Sequence, residues 1–121
     1  MKPLTKAESE IMRILWQLQE ANVSSIIDHM PEPKPAYNTV STIVRILEQK
    51  GFVDYKKQGR GHIYFPKVSE DNYKTSTTQR LANTYFEGSF KNMVSFFVQK
   101  NDLSTRELEA ILKELKSQNN D

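Results

Sequence analysis

The chain has 121 residues, enough for one compact domain or a small domain with an oligomerisation segment and too few for two large cores. It carries 17 Lys and Arg against 15 Asp and Glu, a net charge of +2, and no cysteine, which excludes disulfides, thiolate zinc sites and thiol catalysis. No stretch approaches the roughly 20 apolar residues that cross a bilayer, and no secretory run follows MKPLTKAESE, so a cytoplasmic protein without membrane insertion is expected.

Thr5-Lys-Ala-Glu8 reads as a capping box opening a first helix, in which Ala7, Ile11, Leu15 and Leu18 form an inward stripe widened by Met12 and Trp16. A second short helix is expected from Val23 to Met30, with Ser24 or Ser25 near its start and Ile26, Ile27 and Met30 as apolar anchors. Pro31, Pro33 and Pro35 remove backbone donors and disfavour helix, so PEPKP is the turn into a third helix.

That third helix carries two different faces. Val40, Ile43, Val44 and Leu47 recur at the period of about 3.6 residues per turn and stack as one apolar stripe. Asn38, Ser41, Thr42 and Arg45 follow the same spacing on the other side. An amide, two small hydroxyls and a guanidinium are short or flat enough to meet base edges and phosphates in a major groove. Gly51 is placed for a left-handed helix cap. Beyond it, Phe52, Val53 and Tyr55 lead into a β-hairpin with Gln58-Gly59-Arg60-Gly61 at its tip and Ile63 to Pro66 returning. A helix of this kind followed by a basic hairpin is the DNA-reading end of a winged helix-turn-helix.

The distribution of charge agrees. Residues 1–68 hold 10 Lys and Arg against 7 Asp and Glu, net +3, whereas residues 69–121 hold 7 against 8, net −1. Around the hairpin Lys50, Lys56, Lys57, Arg60 and Lys67 are opposed only by Asp54. A local positive field of this sort suits a polyanion and supplies salt-dependent affinity.

From Ser69 onward the pattern is helical. One segment runs from about Asp71 to Glu87 and includes Tyr73, Leu81, Tyr85 and Phe86. Gly88 separates it from SFKNMVSFFVQK, apolar almost all round with Phe90, Met93, Val94, Phe96, Phe97 and Val98. Ser104 to Glu107 is a second capping box, opening a helix striped by Leu108, Ile111, Leu112 and Leu115 and ending in a polar tail expected to fray. Three short helices cannot bury this much apolar surface alone, so a homodimer formed by residues 69–121 is expected, with Tyr85, Phe86, Phe90, Val94, Phe97, Leu108, Ile111, Leu112 and Leu115 in its interface. A ligand pocket lined by the Phe86 to Phe97 region is the lesser alternative for these aromatics.

Catalytic chemistry finds little support. His29 and His62 are the only histidines and stand far apart, no phosphate-cradling glycine loop opens a helix, and no nucleophile has a base in register. No metal site, no cofactor and no enzyme activity are expected.

The ordered segments LTKAESEIMRILW, VSSIIDHM, YNTVSTIVRILEQKGFVDYKK and FKNMVSFFVQKNDLSTRELEAI resemble the penicillinase-repressor (BlaI/MecI/CopY) family over about residues 4–116. The resemblance implies a dimeric winged-helix repressor of resistance genes that binds an inverted-repeat operator and is inactivated when a membrane-linked zinc-protease sensor leads to its cleavage. By position it implies recognition-helix contacts at Asn38, Thr39, Ser41, Thr42 and Arg45, and wing contacts within Lys56 to His62. Thr39 near the helix start is an alternative cap and phosphate donor. Members of the BlaI and MecI type are cut at an Asn-Phe bond. The matching pair here is Phe96-Phe97, the candidate cleavage region. The cysteine pairs of the copper-responsive branch are absent.

The sequence therefore predicts a mainly α fold with a small β-hairpin wing. Residues 1–68 form a winged-helix DNA-binding domain and residues 69–121 a helical dimerisation domain. Asn38, Thr39, Ser41, Thr42, Arg45, Lys56, Lys57, Arg60 and His62 are the expected DNA contacts. The rival reading is a winged-helix module that binds another protein and does not read DNA.

Overall fold

The computed structural model describes residues 1–119. They form six helices and one hairpin in the order α1 (Lys6–Leu18), α2 (Val23–Asp28), α3 (Tyr37–Gln49), β1 (Val53–Gln58), β2 (Gly61–Pro66), α4 (Glu70–Tyr85), α5 (Phe90–Gln99) and α6 (Thr105–Asn119). This is the mainly α, winged helix-turn-helix architecture anticipated from the sequence. The chain divides into two compact units, Met1–Ser76 and Thr77–Asp121. The division falls within α4, whereas the sequence reading changes domain at Ser69, just before that helix.

In the first unit α1 starts as expected: the Glu8 amide donates to Thr5 Oγ1 at 3.2 Å and the Thr5 amide donates to Glu8 Oε1 at 2.8 Å. Its inward face differs from the predicted stripe. Ile11, Met12, Ile14 and Leu15 are buried, Leu18 is half-buried, and Ala7 is exposed while Glu8 beside it is buried. A carboxylate is tolerated there because Lys50 Nζ donates to it at 2.7 Å. The bond joins the start of α1 to the end of α3. Burial opposes ionisation of Glu8, but the hydrogen bonds from Lys50 and Thr5 outweigh it and hold the carboxyl below its ordinary pKa.

Asn22, rather than either serine, caps α2, its side chain accepting from the Ser25 amide at 2.8 Å. Lys34 closes the other end by donating to the carbonyls of Ile27, Asp28 and Met30 at 3.2, 3.3 and 2.8 Å. The apolar stripe of α3 behaves as its spacing predicts, with Val40, Val44 and Leu47 fully buried and Ile43 half-buried against the same cluster. At its C-terminus Gly51, at φ +85°, donates to Glu48 O, and the next amide, Phe52, donates to Leu47 O. This is a Schellman closure, and it drives Phe52 into the core with no exposed surface.

The hairpin pairs antiparallel from Val53 opposite Pro66 to Gln58 opposite Gly61. Its tip is thus two residues, Gly59 and Arg60, shorter than the four-residue tip read from the sequence, because Gln58 and Gly61 themselves pair. Tyr64 and Ala21 exchange both backbone hydrogen bonds at 2.9 Å, so the loop between α1 and α2 acts as a third short strand on β2. The first turn of α4 adds Tyr73, whose ring lies 5.6 Å from Phe52 and 5.9 Å from Trp16 and whose hydroxyl accepts from the Leu4 amide.

The second unit holds the later part of α4 together with α5 and α6. Ser104 caps α6 in a capping box with Glu107, as predicted, and Ser89, which the sequence reading did not single out, caps α5. Buried side chains here are few, notably Ala82 and Met93, while Phe86, Phe96 and Phe97 meet edge-on or tilted at 5.6 and 5.8 Å between centroids. Helix α6 continues through Lys116 to Asn119, into the polar tail, whose last two residues, Asn120 and Asp121, lie outside the described residues.

The Glu8 to Lys50 pair makes stability depend on acidity. A carboxyl whose folded pKa is depressed stabilises the fold above its unfolded pKa and loses that contribution as pH falls through the folded value. Glu8→Gln is expected to lower stability by about 1–3 kcal/mol at pH 7 and to flatten the loss on acidification below pH 5, measured by urea unfolding across pH 3–7. Phe52→Ala is expected to cost about 3–5 kcal/mol in the same assay.

Candidate nucleic-acid interface

Among the described residues five of the six helices begin with a side chain that accepts from the first turn: Thr5, Asn22, Ser69, Ser89 and Ser104. The sixth, α3, begins at Ala36, which offers no cap. Its first amides therefore lack a side-chain partner, and such a helix end favours anions through its free N–H groups and dipole. Tyr37, Asn38 and Thr39 are exposed at this end.

Along α3, Asn38, Thr42 and Arg45 lie on the open side, and the Thr42 hydroxyl donates back to Asn38 O at 2.8 Å. Ser41 does not share their exposure. It is only 9 % exposed and its Oγ accepts from Arg45 Nη2 at 3.4 Å. Its position at the margin of the apolar stripe, next to Val44 around the helix, explains the difference, and its observed contact supports the arginine from below. Thr39 does not cap the helix, because Ala36 is the cap position. It lies beside the apolar groove formed with α1 and the proline turn, where Ala7, Met30, Pro31 and Ile43 also contribute.

The hairpin faces α3 across a cleft of about 450 Å³. Residues opposite one another in an antiparallel pair share a face. The register thus puts Tyr55, Lys57, His62 and Tyr64 on one face and Lys56 on the other. Tyr55, His62, Tyr64 and Arg60 line the cleft from the hairpin, and Tyr37, Ser41, Arg45 and Glu48 line it from α3. His62 stacks on Tyr55 with ring centroids 4.2 Å apart, which makes a flat platform beside the tip.

Two of the cations grouped together in the sequence are thus set apart. Lys50 is held by Glu8, and Lys56 pairs with Glu20 at 2.9 Å on the far face of the hairpin. Lys57 and Arg60 are exposed and, among the described residues, have no ion pair. Sequence reasoning missed Tyr37, Glu48, Tyr55 and Tyr64 as cleft residues. Glu48 stands seven positions, two helical turns, from Ser41, and Tyr64 two positions from His62, so the helical and strand periods carried the signal. Burial is the main reason the Tyr64 hydroxyl has a raised pKa; Glu48 adds to the rise and Arg45 opposes it.

In the second unit several expected interface residues are exposed despite their size: Tyr85 by 73 %, Phe90 by 42 %, Ile111 by 44 %, Leu112 by 48 % and Leu115 by 46 %. Phe86, Val94, Phe97 and Leu108 are half-buried. The Phe96-Phe97 bond lies inside α5, with Phe96 O accepting from the Lys100 amide and Phe97 O from those of Asp102 and Leu103. No group of three or more metal-ligating side chains occurs among the described residues. No helix among them is long and apolar enough to cross a membrane.

A family model described as penicillinase repressor matches residues 4–117. The methicillin resistance regulatory protein MecI of Staphylococcus aureus strain N315 is 33 % identical over 109 residues, covering 89 % of each chain. The solution structure of the DNA-binding domain of the repressor BlaI superposes with a TM-score of 0.52 at 27 % identity, over 60 % of this chain and 94 % of that one. Bacillus licheniformis BlaI, solved in its monomeric form in complex with the blaP half-operator, gives 0.50 at 26 % identity, over 60 % and 89 %. With the family match spanning almost the whole sequence, the chain belongs to the penicillinase repressor family.

Proposed function

We propose that this protein is a homodimeric transcriptional repressor acting in the cytoplasm, which binds an inverted-repeat operator through residues 1–68 and dimerises through residues 69–121. The observation that carries the reading is the surface on which an uncapped α3 presents Asn38, Thr42 and Arg45 beside a hairpin whose Lys57 and Arg60 have no ion pair among the described residues. Groove-facing side chains supply base readout, while free helix amides and hairpin cations bind backbone phosphate. Relatives support it: BlaI is a repressor, and its monomeric form binds a half-operator.

Dimerisation is supported by the apolar side chains that the second unit leaves in water. Ile111, Leu112 and Leu115 lie close together on α6 and are nearly half exposed. A patch of that kind is suited to a second copy of the same helix. Two heads related by a two-fold axis match an operator with two related halves. By family resemblance the regulated genes concern resistance or stress, and repression is relieved by proteolysis linked to a membrane sensor protease, with Phe96-Phe97 as the candidate region. A protease reads an extended chain, so cutting there requires the second half of α5 to unwind.

Fluorescence anisotropy against duplexes tiling the upstream region of its own gene, at two salt concentrations and with a shuffled control, tests the whole reading. Tight, salt-weakened binding to one near-palindromic segment at two chains per duplex supports it. Equal weak binding to every duplex replaces it with a protein-interaction module. Arg45→Ala is expected to weaken specific binding by about 1–3 kcal/mol and to relax one operator position, whereas Lys57→Ala is expected to weaken all duplexes alike and reduce the salt slope by about 1. Leu112→Glu is expected to convert dimer to monomer in sedimentation velocity while leaving the circular dichroism of the head intact; an unchanged dimer would move the interface elsewhere.

A further inference from the structure

One group in the cleft between α3 and the hairpin opposes the charge that a polyanion-binding surface needs. Glu48 lines that cleft with Arg45, Arg60 and His62. It lies in the last turn of α3, where a negative charge faces the negative end of the helix dipole. The two ion pairs among the described residues belong to Glu8 and Glu20, so no cation is paired with Glu48. Its half-buried position leaves its charge less screened than one on an open surface. The same charge bears on the buried Tyr64 hydroxyl, against the influence of Arg45.

Helix stability and phosphate attraction both disfavour a carboxylate at this position. A residue that breaks local rules without a compensating contact points to a role in binding. The line of Tyr37, Ser41 and Glu48 is the hairpin side of α3, whereas Asn38 and Thr42 do not line the cleft. A DNA strand running between helix and wing would therefore place its phosphates past Glu48, while base edges meet the outer face.

We propose that Glu48 is a specificity-determining residue that penalises phosphates entering the cleft, so that only a duplex seated where Arg45 and Arg60 compensate is held tightly. The inference rests on the operator-binding reading above. Nonspecific binding is almost wholly electrostatic and samples every register, so it bears the full repulsion. In the seated complex Arg45 and Arg60, which line the same cleft, offset the carboxylate at the phosphates, and the net repulsion is small.

The test is anisotropy titration of the full chain, wild type and Glu48→Gln, against the tightest duplex from the upstream tiling and against its shuffled version, at low and high salt. Glu48→Gln is expected to tighten the shuffled duplex about three- to tenfold at low salt and the tight duplex less than about twofold, with the difference vanishing at high salt. Removing a charge that opposes the helix dipole favours folding, and Glu48→Ala must reproduce the pattern. Equal tightening on both duplexes would reduce Glu48 to a bulk charge and overturn the proposal. Weaker binding to the tight duplex alone would overturn it in favour of a direct base contact, such as one to cytosine N4. No change on either duplex would overturn it outright. Wild-type protein that binds all duplexes alike would overturn the operator reading as well, whereas a discriminating wild type with an unaltered variant ratio would sink the Glu48 proposal alone.

Discussion

Everything on the proposed DNA-reading side of this protein depends on α3 burying one stripe completely. Val40, Val44 and Leu47 have no exposed surface and share their cluster with Ile11, Leu15, Ile26 and Phe52. Burying side chains of this size is worth about 1.5–3 kcal/mol each, which fixes the rotation of the helix about its own axis. The opposite stripe must then face outward. Asn38, Thr42 and Arg45 are presented by a constraint located entirely on the other side of the helix. The Glu8 to Lys50 bond adds a polar anchor, tying the end of α3 to the start of α1.

The hairpin is positioned by backbone more than by side chains. The left-handed Gly51 turns the chain, Phe52 inserts in the core, and the reciprocal hydrogen bonds between Ala21 and Tyr64 hold β2 against the loop after α1. A two-stranded hairpin alone is marginal in water. This third short strand and the buried Tyr64 ring hold its base, leaving Gly59 and Arg60 at a free tip. The cleft beside α3 thus has one wall of helix and one wall of hairpin, each anchored to the core.

The second unit has a different physical character. Its helices are properly capped, so they form locally, but they leave large apolar side chains such as Tyr85, Phe90 and Leu112 in water. Such a unit gains most from a partner that covers those residues, and the proposed dimer supplies one with the same chemistry. The aromatic set of Phe86, Phe96 and Phe97 meets within the unit, so the residue that follows α4 packs on α5.

Local rules in the sequence determined where most elements begin and end. Thr5 and Ser104 announced their capping boxes, the three prolines broke the chain between α2 and α3, and Gly51 marked the turn into the hairpin. The stripes of α3 were legible because period 3.6 sorts residues by face without any knowledge of neighbours. Tertiary structure alone decided which polar residues are available. Glu8 and Lys50 are 42 positions apart, and only packing α1 against the end of α3 brings them together. Ser41 sits at the margin between two faces, where burial depends on what lies beside the helix. Lys56 and Lys57 look equivalent in sequence, yet the pleat sends them to opposite faces, and Glu20 waits beside only one. Periodicity assigns a side to each residue, but whether that side meets core, counter-charge or open water is set by segments distant in the chain.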